Sequence, residues 1–389
     1  MPGGLAAKLP LSYVLPLRRD HLDDVAGLAA YVRTLVPLVD LLVVDGSPPE
    51  VFEAHRVAFG EGLAHLPPDP RWSFANGKVD GVMTGLGLAT HERVVMADED
   101  VRWEKAELGR VSSLLETFDL VRPQNFFEPL PWHARWDTAR TLLNRAFGAD
   151  YPGTMGVRRS LLFEAGGYDG DAMFENLELL RTVRVAGGTV ASPLDLYVRR
   201  LPPTTRQFVT QRVRQAYDDL AQPPRLVAEL AILPLGLAAL ATRRHRTLAG
   251  AALGAVAMAE RGRRRAGGTA VFPATASLLA PLWLTERAVA SWLAVVSRFR
   301  WGGVRYRGRV LPLAATSTRQ LRRRMKTALT PPGTFATPGT HGSGGRLEEA
   351  AKEGGHGMAE RRVLGGTLDN TTHDEADLDR RLSTLRDSR

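Results

Sequence analysis

Apolar positions along the first 225 residues follow two alternating periods. Residues 13–17 form a short apolar run that ends in Arg18-Arg19-Asp20, and residues 39–44 a second run, stopped by Asp45-Gly46-Ser47-Pro48-Pro49. Short apolar runs closed by turn residues predict buried strands. Between them Leu22, Val25, Leu28, Ala29, Val32, Leu35 and Val36 recur near helical spacing across residues 21–38. Residues 78–90 predict another helix and 93–97 another strand, which ends at Asp98-Glu99-Asp100. Strands alternating with helices predict an α/β domain with a mostly parallel sheet. Ligands of such sheets bind outside the carboxyl ends of the strands, where both acidic turns fall.

Beyond residue 225 the pattern changes. Residues 226–241 and 247–259 are apolar but short of the ~20 residues a perpendicular membrane span needs. Residues 269–299 are longer, but Pro273, Pro281 and Glu286-Arg287 interrupt them. Arginine clusters at 243–246 and 261–265 flank the second segment on both sides, so a span there would place one cluster outward, against the positive-inside tendency. These features predict helices lying in the cytoplasmic membrane interface, with one span available in 269–299. A soluble Ala/Leu-rich helical subdomain is the alternative. From about Thr316 the pattern is lost: 322–326 is a basic run, 331–345 is rich in Gly, Pro, Thr and Ser, and 346–389 is polar, which predicts a disordered tail.

Charge sharpens this division. The chain carries +9 overall, but residues 1–225 sum to −4, residues 226–330 to +15 and residues 331–389 to −2. An acidic body beside a basic apolar segment suits an anionic membrane surface. It does not suit nucleic acid, because the arginines are interleaved with long apolar runs. The mean hydropathy of −0.15 excludes a protein dominated by membrane spans. With no cysteine in the chain, disulfides, Fe–S clusters, Cys-bound zinc and thiol catalysis are excluded. Residues 1–19 lack the basic-then-apolar order of a signal peptide, so the body is expected in the cytoplasm.

Candidate chemistry gathers at the acidic turns. Alternate residues of an extended segment point the same way, so Asp98 and Asp100 could share one Mg²⁺ or Mn²⁺, which prefer hard oxygen ligands; a solvated turn is the alternative. Asp45, at a strand's carboxyl end, suits a ribose hydroxyl or base edge, or else an Asx-turn. Lys78 follows Asn76-Gly77 at a helix start, where a phosphate is favoured. Gly85-Leu86-Gly87 lies within a helical stretch and follows no strand, so it is not a dinucleotide fingerprint.

In order, the strand at 13–17, Val43-Val44-Asp45-Gly46-Ser47, Asn76-Gly77-Lys78 and Met96-Ala97-Asp98-Glu99-Asp100 resemble the nucleotide-sugar half of family 2 glycosyltransferases, which have the GT-A fold. Gly153-Thr154-Met155-Gly156-Val157-Arg158-Arg159, followed by Phe163-Glu164-Ala165-Gly166-Gly167-Tyr168-Asp169, is similar to the family's acceptor-side stretch. Gln211-Arg212-Val213-Arg214-Gln215 is similar to its Q-x-x-R-W motif, with Gln215 where tryptophan is usual. The resemblance covers roughly residues 10–220. Loosely, residues 301–309 look like a segment of the branch related to ceramide glucosyltransferases and bacterial lipid glycosyltransferases.

The resemblance implies a GT-A domain at 1–225, a membrane-associated helical region at 226–315, and a basic run with a tail at 316–389. It implies inverting transfer of a sugar from a UDP-linked donor to a lipid or glycan acceptor at the cytoplasmic membrane face. Asp98 and Asp100 would hold the metal, and Asp45 the nucleoside. Lys78, Gln211, Arg212 and Arg214 would meet the nucleotide and its diphosphate. The family's Glu-Asp pair reads Glu175-Asn176 here, and an amide cannot take a proton at neutral pH. Glu175 is therefore the expected base, Glu178 a weaker candidate, and a catalytically inactive binding or scaffold protein the alternative.

Overall fold

The computed structural model describes residues 7–22, 25–306 and 308–329. The tail expected at 331–389 and Arg307 of the 301–309 motif lie outside the described residues. In chain order, β1 (Ser12–Leu17), α1 (Ala26–Leu35), β2 (Asp40–Asp45), α2 (Pro49–Phe59), β3 (Ala64–Leu66), α3 (Gly77–Leu88) and β4 (Arg93–Ala97) alternate as the apolar pattern predicts. There follow β5 (Val101–Arg102), α4 (Lys105–Leu114), β6 (Leu120–Val121), β7 (Gln124–Phe127), α5 (Trp132–Phe147), β8 (Thr154–Arg158), α6 (Arg159–Glu164), α7 (Glu175–Val185), β9 (Val190–Ala191) and β10 (Tyr197–Arg200).

Seven strands form the central sheet in the order β3-β2-β1-β4-β8-β6-β9. β1 pairs in parallel with β2 and β4, and β2 with β3, while β8 runs antiparallel to both β4 and β6. Parallel strands covered on both faces must be apolar on both, and these are. Tyr13, Leu15, Leu41, Val43 and Val95 join α1, α2 and α4 in one buried cluster. Val14, Leu42, Val44, Val94 and Met96 join α3, α6 and α7 in another. Gly85 explains how closely α3 approaches: a Cβ there would stand 2.3 Å from Val14 Cγ1. A second sheet, β5-β10-β7, flanks the carboxyl end of β4.

The chain continues through α8 (Thr205–Thr210), α9 (Arg212–Tyr217), α10 (Pro223–Ala241), α11 (His245–Arg264), α12 (Ala274–Leu278) and α13 (Ala280–Trp301). It ends in a hairpin of β11 (Val304–Tyr306) and β12 (Arg309–Leu311), then α14 (Thr318–Leu329). No break in packing falls at residues 225–226. Ala139 and Leu142 of α5 share a buried cluster with Ala255 and Ala259 of α11, Phe272, and Trp283 of α13. Arg145, fully buried on α5, donates to the carbonyls of Gly262, Leu194 and Arg265, to Gln124 Oε1 and to the Tyr197 hydroxyl.

Among the described residues one helix, α10, is long and apolar enough to cross a membrane. Residues 269–299, where a span was expected, instead fold into a 3₁₀ turn, α12 and α13, and Arg287 in the middle of α13 is buried. Two charged residues tie the first turns of α10 to the body. Arg225 bonds Glu229 and Asn144, and Glu229 accepts from Ser291. Its later turns expose Leu235, Leu237 and Leu240 beside Arg243, Arg244 and Arg246, all exposed.

Candidate active site

The turn after β4 places its acids by alternation. The Asp98 amide donates to Gly153 O (2.8 Å) and its carbonyl accepts from Val101, which closes the turn. Asp98 and Asp100 then face one cation, the Arg200 guanidinium at the end of β10: Nη2 lies 3.3 Å from Asp98 Oδ2, and Nε 2.9 Å from Asp100 Oδ2. Glu99 points elsewhere, to Arg19 Nε at 2.8 Å. Gly153 leaves room for this pairing, since a Cβ there would stand 2.5 Å from Asp98 Oδ2 and 3.0 Å from the Arg200 guanidinium carbon.

Lys78 enters from the first turn of α3, which Asn76 caps by accepting from the Lys78 amide. Its Nζ is 2.5 Å from Asp98 Oδ1 and 2.5 Å from Glu175 Oε1. Burial works against the charge on Lys78, but Asp98 and Glu175 more than reverse that and raise its pKa. Glu175, at the first position of α7, is itself raised, mainly by burial and further by Asp98, with Lys78 opposing. Lys78, Asp98, Glu175 and Arg200 thus converge although they lie up to 122 positions apart in the chain. Glu175 and Asn176 line a pocket of about 220 Å³ with Asp98, Arg200, Gln211 and Arg214.

Lys78 and Asp100 touch the residues that line this pocket without lining it, and three expected residues stand apart from the cluster altogether. Asp45 is buried, with Oδ2 2.6 Å from His55 Nδ1 and 3.1 Å from His65 Nε2, while Oδ1 accepts from the Ser47 amide at 2.9 Å. Burial pushes its carboxyl up, but the bonds from His65, Ser47 and His55 prevail and bring it down to about 2. Arg212 bonds Asp137 and Gln215 at 3.0 Å and Glu286 at 2.8 Å, which ties α9 to α5 and α13. Glu178 accepts the Thr316 amide at 2.6 Å and holds the stretch before α14.

Sequence reasoning missed Arg200, Arg140, Arg225, Arg287, Asp218 and Asp219, all of which line the pocket. Arg200 and Arg287 face acids far away in sequence, Asp98 and Asp219, so no local spacing marks them.

Among the described residues no group of three or more His, Asp or Glu side chains is placed to hold a metal. Two carboxylates are enough for Mg²⁺ or Mn²⁺ when substrate phosphates complete the shell. Asp98 and Asp100 fit that use, because Asp100 Oδ1 is buried without a hydrogen-bond partner. Both Asp98 oxygens are currently engaged by cations that a phosphate could draw away.

No family model and no curated protein matches this chain. Among solved structures, it is similar to a mannosyltransferase from Pyrobaculum calidifontis in complex with GDP-Man and Mn²⁺. That match has 20% identity over 74% of this chain and 88% of that one, with a TM-score of 0.45. It is also similar to glucosyl-3-phosphoglycerate synthase from Mycobacterium tuberculosis with Mn²⁺ and UDP-glucose, at 21% identity over 53% of this chain and 76% of that one, with a TM-score of 0.36.

Proposed function

We propose that this chain is a GT-A glycosyltransferase of the family 2 type. It would move a sugar, with inversion, from a UDP-linked donor to a lipid or glycan acceptor at the cytoplasmic face of a membrane. The observation that carries the reading is the convergence of Lys78, Asp98, Glu175 and Arg200 at the carboxyl end of β4, joined in a chain of ion pairs of 2.5–3.3 Å.

In the resting site two cations, Lys78 and Arg200, are shared among three carboxyl groups. An arriving diphosphate competes for Lys78 and Arg200 and frees Asp98, Asp100 and Glu175. Asp98 and Asp100 would hold Mg²⁺ or Mn²⁺, which supplies Lewis-acid stabilisation of the leaving nucleotide. Lys78 and Arg200 then lie against the phosphates, with Arg214 and Gln211 on the pocket wall. Glu175, released from Lys78, takes the proton of the acceptor hydroxyl at Oε1. Asp45 bonds His55, His65 and Ser47 and would shape the nucleoside wall through the backbone of Gly46-Ser47. The exposed apolar turns of α10 and the arginines beyond them support docking on an anionic membrane.

The test is donor binding and turnover by the full chain. UDP with Mn²⁺ should raise its Tm, and Asp98→Asn and Asp100→Asn should each remove the metal-dependent part of that shift and of sugar release from the donor. If both variants keep wild-type turnover, the reading fails.

A further inference from the structure

The pocket beside Glu175 carries positive charge that the donor reading leaves unused. Arg287 of α13 is 1% exposed and stacks over the Trp283 ring at 4.9 Å, yet its Nε and Nη1 are buried without a hydrogen-bond partner. Asp219 Oδ2 stands 3.7 Å from that Nη1, beyond hydrogen-bonding distance. Arg140 of α5 repeats the arrangement. Its Nε is buried without a hydrogen-bond partner, 3.7 Å from Asp137 Oδ1, while its Nη2 lies 3.5 Å from Asp150 Oδ2. Both arginines line the pocket. By contrast Arg225, which also lines it, is satisfied by Asp219, Glu229 and Asn144.

Buried guanidinium donors left without a hydrogen-bond partner are costly, and an anion entering the pocket these arginines line would relieve that cost. The acids nearby offset them only in part, because burial holds Asp218 and Asp219 well above the usual carboxylate range. Lys78 and Arg200, the cations on the donor-side carboxylates, belong to α3 and β10, whereas Arg140 and Arg287 belong to α5 and α13.

We propose that Arg140 and Arg287 form a subsite for a phosphoryl group carried by the acceptor. The assignment to the acceptor rests on the glycosyltransferase reading; the anion site itself does not. A phosphoryl group is favoured over a carboxylate because it offers two cationic side chains three acceptor oxygens and more negative charge.

Calorimetric titration of the full chain without divalent cations, using hexyl phosphate, inorganic phosphate and hexanoate as probes, tests this. Hexyl phosphate should bind at least tenfold more tightly than hexanoate. Arg287→Gln should weaken phosphate binding at least tenfold and Arg140→Gln several-fold, while UDP–Mn²⁺ binding stays within twofold. Tighter binding of hexyl phosphate than of inorganic phosphate identifies a lipid phosphate as the source, and equal binding a small soluble phosphoester. Arg140 is only half-buried, so Arg140→Gln carries the test if Arg287→Gln does not fold. The proposal is overturned if both variants bind phosphate like wild type, or if UDP–Mn²⁺ binding falls as much as phosphate binding does. Loss of UDP–Mn²⁺ binding in the wild type, with phosphate binding intact, would sink the glycosyltransferase reading and leave the anion site standing.

Discussion

On α7, Glu175 meets the pocket while Glu178, three residues on, turns to the Thr316 amide. Only the first lines the pocket. Glu175→Gln should lower kcat by about 10²–10⁴-fold with donor binding retained, measured by turnover and UDP titration. Glu178→Ala should leave chemistry in place and cost about 1–3 kcal/mol of stability, because it strands a buried amide; denaturant unfolding checks it. Asp45 makes a pH statement. Its folded pKa of about 2 lies below the ordinary 3.8, so its stabilisation is complete above the ordinary value and is lost as pH falls through about 2. The shift corresponds to about 2 kcal/mol. Asp45→Asn should therefore lower Tm at pH 7 and flatten the acid limb of the stability curve below pH 4.

Among the elements, β1, β2, β4 and α3 were readable because each carries its own period and is closed by a turn signal. Predicted strand 93–97 matches β4, and α3 starts one residue before predicted helix 78–90 and ends two residues short of it. The acidic turn and Lys78 came with them. Arg200 did not, because β10 is a four-residue polar strand whose place is set by pairing with β5 and β7, nearly 100 and about 73 positions away in the chain. The role of Gly85 was likewise invisible without its neighbour. Gly85→Ala would force α3 off β1 and should cost about 1–3 kcal/mol. It should also slow turnover, because Lys78 rides on the same helix. Val14→Ala in the same chain should restore both if the clash is the cause, and paired unfolding and rate measurements decide it.

For the whole molecule, charge and hydropathy marked the region after residue 225 as different, but they could not show that its helices pack along α5 and supply Arg287 to the pocket. Its outer surface retains the features read from sequence. Leu235, Leu237 and Leu240 are exposed next to an arginine cluster. Replacing all three with serine should reduce co-sedimentation with anionic vesicles several-fold while leaving soluble-donor turnover unchanged. Equal sedimentation would argue against this face as the docking surface. Arg145 decides how far the two regions can be separated. Two of its five acceptors, the carbonyls of Gly262 and Arg265, are contributed from beyond residue 225. Cutting the chain between α9 and α10 would remove both of these, including the only acceptor of Nε, and would uncover the apolar face of α5 that packs on α11 and α13. The helical region is therefore no detachable anchor: the body should fail to mature when made alone and be rescued when the missing half is supplied in trans.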